Sequence, residues 1–279
     1  MNIPKLIREK LDDMTKSERF VANYCLSNIN DFAFDTLDVV AEKIGTSTTS
    51  VIRFCRRLDF SGYKEFQDNI RSGFKYSPDL PEKFKRTSNI KNCDELILKI
   101  ASKSIECINK TFEEMYIERL SDAVNMISCA KRVFTFGMRE SFALSHYAYT
   151  RFLTVRDNVN ILNAGNNGEI ETLLSLGKDD VCVIFLFHRY TKQAVEILNI
   201  IKEQNVKTIL VTNAPFDDVK DIVNIVLPCF VDINAIKNSS VAPVCLTDYL
   251  CNALAIEKGD ETLEYMKKSE KLFKNILAE

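Results

Sequence analysis

The stretch TLDVVAEKIGTSTTSVIRFCRRL, which runs from Thr36 to Leu58, decides the fold of the first part of this chain. Four apolar residues in its first half share the i, i+3, i+4, i+7 spacing of one helix face: Leu37, Val40, Ala41 and Ile44. Gly45 follows the last of them, and glycine tolerates the left-handed backbone that a sharp turn after a helix requires. The stretch therefore predicts two helices that cross at a tight turn, with Ser47 as the N-cap of the second.

The second predicted helix has two chemically different faces. Its apolar face carries Val51, Phe54, Cys55 and Leu58. Its opposite face carries Thr49, Arg53, Arg56 and Arg57. Short hydroxyl side chains near a helix N-terminus suit base edges in a DNA major groove, and arginines suit guanine edges and phosphates. The pattern indicates the recognition helix of a DNA-binding helix-turn-helix; the alternative is an ordinary helical hairpin with a solvated charged face.

The charge distribution favours a local docking surface over a non-specific polycation. The net charge is −2, but residues 47–76 hold 6 basic against 3 acidic side chains, whereas residues 1–46 hold 6 against 8. The predicted DNA-contacting residues all lie in the basic segment: Ser47, Thr48, Thr49, Ser50, Arg53, Arg56, Arg57 and Lys64.

Length and composition exclude several classes of protein. The chain has 279 residues, 46% hydrophobic and 27% charged, which is typical of a globular protein of two domains. No apolar run approaches the roughly 20 residues that span a bilayer, and the N-terminus has no signal-peptide core, so we expect a cytoplasmic protein without a membrane partner. Nine scattered cysteines indicate reduced thiols, and two histidines argue against a metal site.

The rest of the chain predicts a second domain of a different fold. Residues 77–92 contain two prolines and few apolar side chains and are predicted to be a linker between an all-α helix-turn-helix domain, 1–76, and a second domain, 93–279. From Lys131 onward, short β runs alternate with amphipathic helices. This alternation predicts an α/β three-layer domain, with a parallel sheet and helices on both faces.

Two loops are expected to lie where such sheets bind ligands, at the carboxyl ends of the strands and near helix N-termini that favour anions. They are Gly137 to Ser141 and Phe187 to Lys192. The candidate effector-binding residues in them are Gly137, Arg139, Ser141, His188, Arg189, Thr191 and Lys192. No cofactor is expected.

The segments MTKSERFVANYCLSN and LDVVAEKIGTSTTSVIRFCRRLDFSGYKEF, followed by the strand-loop-helix pieces, resemble the RpiR/MurR-type bacterial transcriptional regulators. These join an N-terminal helix-turn-helix to a C-terminal sugar-isomerase (SIS) domain that binds phosphosugars. The resemblance implies that residues 47–50 and Arg53 lie on the recognition helix, and that the SIS half dimerises and senses a ligand.

The SIS half departs from that family pattern in both loops. Arg139 replaces the second glycine of the usual G-x-G-x-S loop. The usual S-x-S-G-x-T phosphate loop is LFHRYT here, residues 186–191, so only Thr191 remains. Either Arg139, His188, Arg189 and Lys192 form a replacement anion site, or the pocket is vestigial and the domain is a dimerisation core.

The predicted function is a dimeric or tetrameric transcriptional regulator of carbohydrate metabolism that binds an operator in double-stranded DNA and responds to a phosphosugar or a related anion. One alternative is a constitutive DNA binder with a non-sensing SIS domain. The other is a sugar-phosphate isomerase, for which Glu140, Glu169 and His188 are the local candidates for a general base. Because the anchoring serines are missing, we expect no enzymatic activity.

Overall fold

The computed structural model describes residues 3–75, 80–88, 92–113, 115, 117–163, 170–187, 191–213, 222–233 and 235–277. They divide into two compact units, the first within residues 1–78 and the second, among these residues, from 80 onward. Within the described ranges, no helix is long and apolar enough to cross a membrane.

The described part of the first unit consists of helices. They are α1 (Ile3–Lys10), α2 (Lys16–Ser27), α3 (Ile29–Phe34), α4 (Leu37–Ile44), α5 (Thr48–Arg57) and α6 (Tyr63–Lys75), with a 3-10 turn at Leu11–Asp13. Three phenylalanine rings from α3, α5 and α6 fill the centre. The ring of Phe66 meets those of Phe32 and Phe54 edge to face, at centroid distances of 5.7 and 5.5 Å. These contacts hold α5 against α3 and α6.

The turn between α4 and α5 has the predicted geometry. Gly45 has φ 72° and ψ 38°, the left-handed conformation, and its N–H donates to the carbonyls of Ala41 and Glu42. The next N–H, of Thr46, also donates to the Ala41 carbonyl, at 2.9 Å. The carbonyls of Ala41 and Glu42, in the last turn of α4, are thereby satisfied. The predicted apolar face of α5 is fully buried, since Val51, Phe54, Cys55 and Leu58 are all 0% exposed.

A buried ion cluster joins α3 to α4. The ammonium of Lys43 lies against the carboxylates of Asp31 and Asp35, at 2.6 Å from Asp35 Oδ2. The Tyr24 hydroxyl donates to Asp31 at 2.6 Å. From α6, the Tyr63 hydroxyl and the Gln67 amide donate to backbone carbonyls at the end of α3. Buried charges are tolerated when they are paired and hydrogen-bonded in this way.

The second unit has an α/β fold. Its helices are α7 (Leu80–Thr87), α8 (Cys93–Glu113), α9 (Ile117–Cys129), α10 (Glu140–Phe152), α11 (Lys192–Glu203), α12 (Val241–Lys258) and α13 (Asp260–Leu277). Its strands are β1 (Arg132–Gly137), β2 (Val159–Leu162), β3 (Asp180–Phe185), β4 (Lys207–Thr212) and β5 (Ile225–Pro228). The strands form one parallel sheet in the order β2-β1-β3-β4-β5. Every residue of β3 is buried, so both faces of the sheet are covered. The predicted fold class is confirmed.

Several local expectations need adjustment. Helix α7 lies within the segment 77–92 that the sequence predicts as a linker, because Leu80 and Phe84 alternate with charged side chains at helical spacing. The alternation of β runs and helices also predicts a helix near residues 169–176, where the structure has a 3-10 helix, Ile170–Ser175. It predicts a further short helix near residues 217–221, which lie outside the described residues.

All nine cysteines are free, and six of them are buried: Cys25, Cys55, Cys107, Cys182, Cys229 and Cys251. Burial disfavours the thiolate and raises the pKa of Cys55 to about 12.

The left-handed turn gives a direct test of the first unit. Gly45→Ala is expected to lower the free energy of unfolding by about 1 kcal/mol, because a Cβ disfavours this conformation. The matched control is Gly62→Ala, since the φ of Gly62 is outside the left-handed region and nothing lies within 4 Å of an added Cβ. Urea denaturation followed by circular dichroism measures both. An equal loss of unfolding free energy in the two variants would contradict the left-handed turn at Gly45.

Candidate DNA-binding helix and ligand edge

Helix α5 is capped as the sequence predicts. Ser47 Oγ accepts a hydrogen bond from the N–H of Ser50 at 3.2 Å and lies 3.0 Å from Ser50 Oγ. Thr36, before α4, makes no corresponding side-chain bond. The cap occupies two of the hydroxyl groups that the sequence nominates for DNA, and both groups keep hydrogen-bonding capacity for a further partner.

The nominated DNA-contacting residues are on the accessible part of the unit. Ser47, Thr49, Arg53, Arg56, Arg57 and Lys64 are exposed, and Thr48 and Ser50 are half-buried. The polar face of α5 is accessible because the four apolar residues on the opposite face of the helix are buried. The N-terminal half of α5 is therefore free to enter a groove.

The three arginines of α5 have different surroundings. Within the described part of the chain, Arg53 has no hydrogen-bond or ion-pair partner. Arg56 Nε donates to the Ser61 carbonyl at 3.4 Å. Arg57 Nε lies 3.5 Å from Glu18 Oε2. Arg53 is thus the arginine whose guanidinium is wholly available to a ligand.

Glu18 links the recognition helix to α2. Its carboxylate accepts from the Thr15 N–H at 2.9 Å, and the Glu18 N–H donates back to Thr15 Oγ1, which completes a capping box of the T-x-x-E type. Burial alone would raise the pKa of Glu18, but the hydrogen bonds from Thr15 and the charge of Arg57 lower it below the ordinary value. Glu18 therefore presents a stable negative charge to Arg57.

Lys10 is a residue of this region that sequence reasoning missed. Its ammonium donates to the Arg57 carbonyl at 3.2 Å, at the carboxyl end of α5, and forms an ion pair with Asp59. A cation in this position suits the negative end of the helix dipole. No periodicity relates residue 10 to residues 57 and 59, so no signal in the sequence could have identified it.

The candidate ligand site of the second unit lies where the strand order reverses, between β1 and β3. Thr191, the N-cap of α11, accepts from the Ala194 N–H and directs its own hydroxyl to Met138 Sδ at 3.6 Å. The loop after β1 and the start of α11 therefore meet at this edge. A Cβ on Gly137 would lie 2.3 Å from the Ser141 carbonyl oxygen, so this glycine permits a close approach of the loop to α10.

Arg139 has an unusual backbone for a residue with a side chain. Its φ is 55° and its ψ −122°, a region that glycine occupies readily and other residues rarely. Arg139 stands where the family pattern has its second glycine. The loop has thus kept the backbone of a glycine while carrying an exposed guanidinium.

Five of the seven nominated effector-binding residues are described, and all five lie at this edge: Gly137, Arg139, Ser141, Thr191 and Lys192. His188 and Arg189 lie outside the described residues. Lys237, which the sequence analysis did not nominate, forms an ion pair with Glu140 at the start of α10. In the described ranges, no group of three His, Cys, Asp or Glu side chains has a geometry that suits a metal ion.

Together the two units define a class of protein: a helix-turn-helix unit with an accessible cationic recognition helix, followed by a parallel α/β domain, is the architecture of a DNA-binding transcriptional regulator. The model of the rpiR-family helix-turn-helix domain matches residues 1–75, and the model of the SIS domain matches residues 126–253. The chain belongs to the RpiR-type transcriptional regulators.

Individual proteins are similar to the whole chain or to its second unit. The HTH-type transcriptional regulator HexR of Escherichia coli K12 is 22% identical over 279 residues, which cover 98% of this chain and 95% of HexR. The structure of Vibrio vulnificus NanR complexed with ManNAc-6P has a TM-score of 0.55 and 18% identity, with full coverage of both chains. The sugar isomerase domain of an RpiR transcription factor from Sphaerobacter thermophilus has a TM-score of 0.60 and 21% identity, over 63% of this chain and 99% of that one. At 18% and 21% identity, these two structural matches show that the fold is shared.

The strained backbone of Arg139 predicts that one substitution at this position stabilises the protein. Arg139→Gly is expected to raise the free energy of unfolding by about 1 kcal/mol, because glycine relieves the strain at positive φ. Arg139→Ala removes the same side chain and keeps the strain, so it is the control and should give no gain. Urea denaturation of the full chain measures both. A loss of stability in Arg139→Gly would show that contacts of the side chain outweigh the strain.

Proposed function

We propose that this regulator controls genes of carbohydrate metabolism, that it binds its operator through the exposed face of α5, and that it responds to a phosphorylated sugar or a related anion at the edge between β1 and β3. Because it works on chromosomal DNA, we also propose a cytoplasmic location.

One observation carries the DNA-binding part of the proposal. The N-terminal half of α5 presents capped hydroxyl residues and the guanidinium of Arg53, which has no partner among the described residues, on one accessible face. Arg56, Arg57 and Lys64 lie beside them and suit phosphates. In helix-turn-helix proteins the N-terminal residues of the second helix contact base edges, so we assign base contacts to Ser47–Ser50 and Arg53, and phosphate contacts to the other three cations.

The effector part of the proposal is supported by the charges at the ligand edge. Arg139 and Lys192 are exposed cations next to the N-termini of α10 and α11, which favour anions. On sequence grounds, His188 and Arg189 would add to this charge. NanR, which has the same fold over its whole length, is complexed with ManNAc-6P. We therefore favour a replacement anion site over a vestigial pocket.

We propose that the protein has no isomerase activity. Isomerisation of a sugar phosphate requires a positioned general base. Of the three candidates that the sequence offers, the Glu140 carboxylate is exposed and paired with Lys237, and Glu169 and His188 lie outside the described residues.

We also propose a homo-oligomer, either a dimer or a tetramer. Helix α8 exposes Ile97, Leu98 and Ile105, and α13 exposes Leu272, Phe273 and Ile276. Apolar surface of this extent favours association. Two copies would present two recognition helices to the half-sites of a near-palindrome.

The DNA-binding part is tested with an operator selected by the full-length protein from random duplex DNA. Arg53→Ala is expected to weaken binding to the selected sequence by roughly 10- to 100-fold, the value of a good arginine–base contact. The thermal midpoint should be unchanged, because Arg53 is exposed and has no hydrogen bond or ion pair within the described ranges. The control Lys202→Ala removes an exposed cation from α11 and should leave affinity unchanged. Selection without any consensus, or equal effects in both variants, would contradict the assignment.

The effector part is tested by thermal shift of the full chain with inorganic phosphate, glucose 6-phosphate and N-acetylmannosamine 6-phosphate, with the unphosphorylated sugars as controls. A ligand at about 100 times its Kd stabilises the native state by about 2.7 kcal/mol, which should raise the midpoint by about 5–11 °C. The shift should shrink in Arg139→Ala. No shift with any phosphate compound would favour the non-sensing dimerisation core.

A further inference from the structure

We infer that Lys237 belongs to the ligand site, and that the loop carrying it transmits the state of the site to helix α7. This loop, residues 229–240, connects β5 to α12 and is named the β5–α12 loop below. The inference rests on the proposed effector function and names the residues that regulate it.

The tip of the β5–α12 loop is at the ligand edge. Lys237 pairs with Glu140, the first residue of α10, directly after Arg139. The side chains of Lys237 and Glu140 are 59% and 77% exposed. An ion pair this exposed contributes little to stability, so it can be exchanged. A phosphate group beside Arg139 carries more charge than a carboxylate and competes with Glu140 for the Lys237 ammonium.

The base of the same loop is held in place. The Ser239 N–H donates to the Val231 carbonyl at 2.8 Å, which closes the loop. The Phe230 N–H donates to Thr111 Oγ1 at 3.0 Å, which ties the base to α8. Ser239 Oγ lies 3.3 Å from Ser104 Oγ, also on α8. When Lys237 changes its partner, the resulting movement is therefore confined to the exposed tip of the loop.

The residue after Lys237 contacts α7. Lys83 Nζ donates to Asn238 Oδ1 at 2.7 Å. A movement of Lys237 from Glu140 to an anion displaces Asn238, and the bond to Lys83 carries that displacement to α7. In sequence, α7 is the first described helix after the helix-turn-helix unit. Lys237 thus has two alternative partners, the Glu140 carboxylate and a bound anion. The β5–α12 loop can therefore adopt two states, as coupling between sites requires.

The test uses the full chain with the same three phosphate probes. Hydrogen exchange of the α7 amides, residues 80–87, is measured with and without probe, and operator affinity is measured under both conditions. In the native protein the probe is expected to change exchange in α7 and in the β5–α12 loop, and to change operator affinity.

Asn238→Ala removes the hydrogen bond between the β5–α12 loop and Lys83 of α7 and leaves Lys237 in place. It should keep the thermal shift with the probe, which shows that the ligand still binds, and it should keep operator affinity without the probe. The change of exchange in α7 and the change of operator affinity should both disappear. Lys83→Ala should behave in the same way, whereas Lys85→Ala, on an exposed position of α7, should behave as the native protein. Lys237→Ala should bind the probe about tenfold more weakly.

The outcomes separate the two proposals. If Asn238→Ala and Lys83→Ala respond to the probe as fully as the native protein, the β5–α12 loop is not the route and the inference is wrong. If the native protein binds no probe, the effector part of the proposed function fails, and the inference that rests on it fails with it.

Discussion

The position of the recognition helix depends on one buried cation. The ammonium of Lys43 is enclosed between the carboxylates of Asp31 and Asp35, so the end of α3 and the last turn of α4 are held together by charge. Removing one member of such a cluster leaves an uncompensated buried charge, which is strongly destabilising. With α4 held in this way, the left-handed turn at Gly45 sets the direction of α5. Phe54 then packs against both Phe32 and Phe66. The exposed face of α5 is thus a consequence of contacts on its other side.

The carboxyl end of α5 is held by a second set of charges. Lys10 and Glu18 come from α1 and α2 and engage the backbone and side chain of Arg57. These charges add to the burial of Phe54, Cys55 and Leu58, which holds the other face of the last turn. Among the described residues, the exposed face at the N-terminal end of the helix has no ion pair, and its hydroxyl groups bond within the cap at Ser47. The helix is therefore anchored at the end that we assign to phosphates and accessible at the end that we assign to bases.

Local patterns were sufficient to predict most of the fold. The 3.6-residue periodicity of α4 and α5, the capping box of α2 and the alternation of strands and helices after residue 131 all depend on neighbours in sequence. The contacts that shape the candidate sites do not. Lys10 meets Asp59 and Lys237 meets Glu140 across 49 and 97 residues, respectively, and no periodicity encodes such pairs. The sequence also showed that Arg139 replaces a glycine, but only the structure shows that the backbone there is still that of a glycine.

That backbone has an evolutionary consequence. Every arginine codon is a single base change away from a glycine codon, so the mutation that would relieve the strain at residue 139 is always within reach. A glycine would also restore the loop to the pattern from which it departs. With so short a path to the residue that fits, an arginine in a conformation that it disfavours is expected to persist only where selection acts on its side chain.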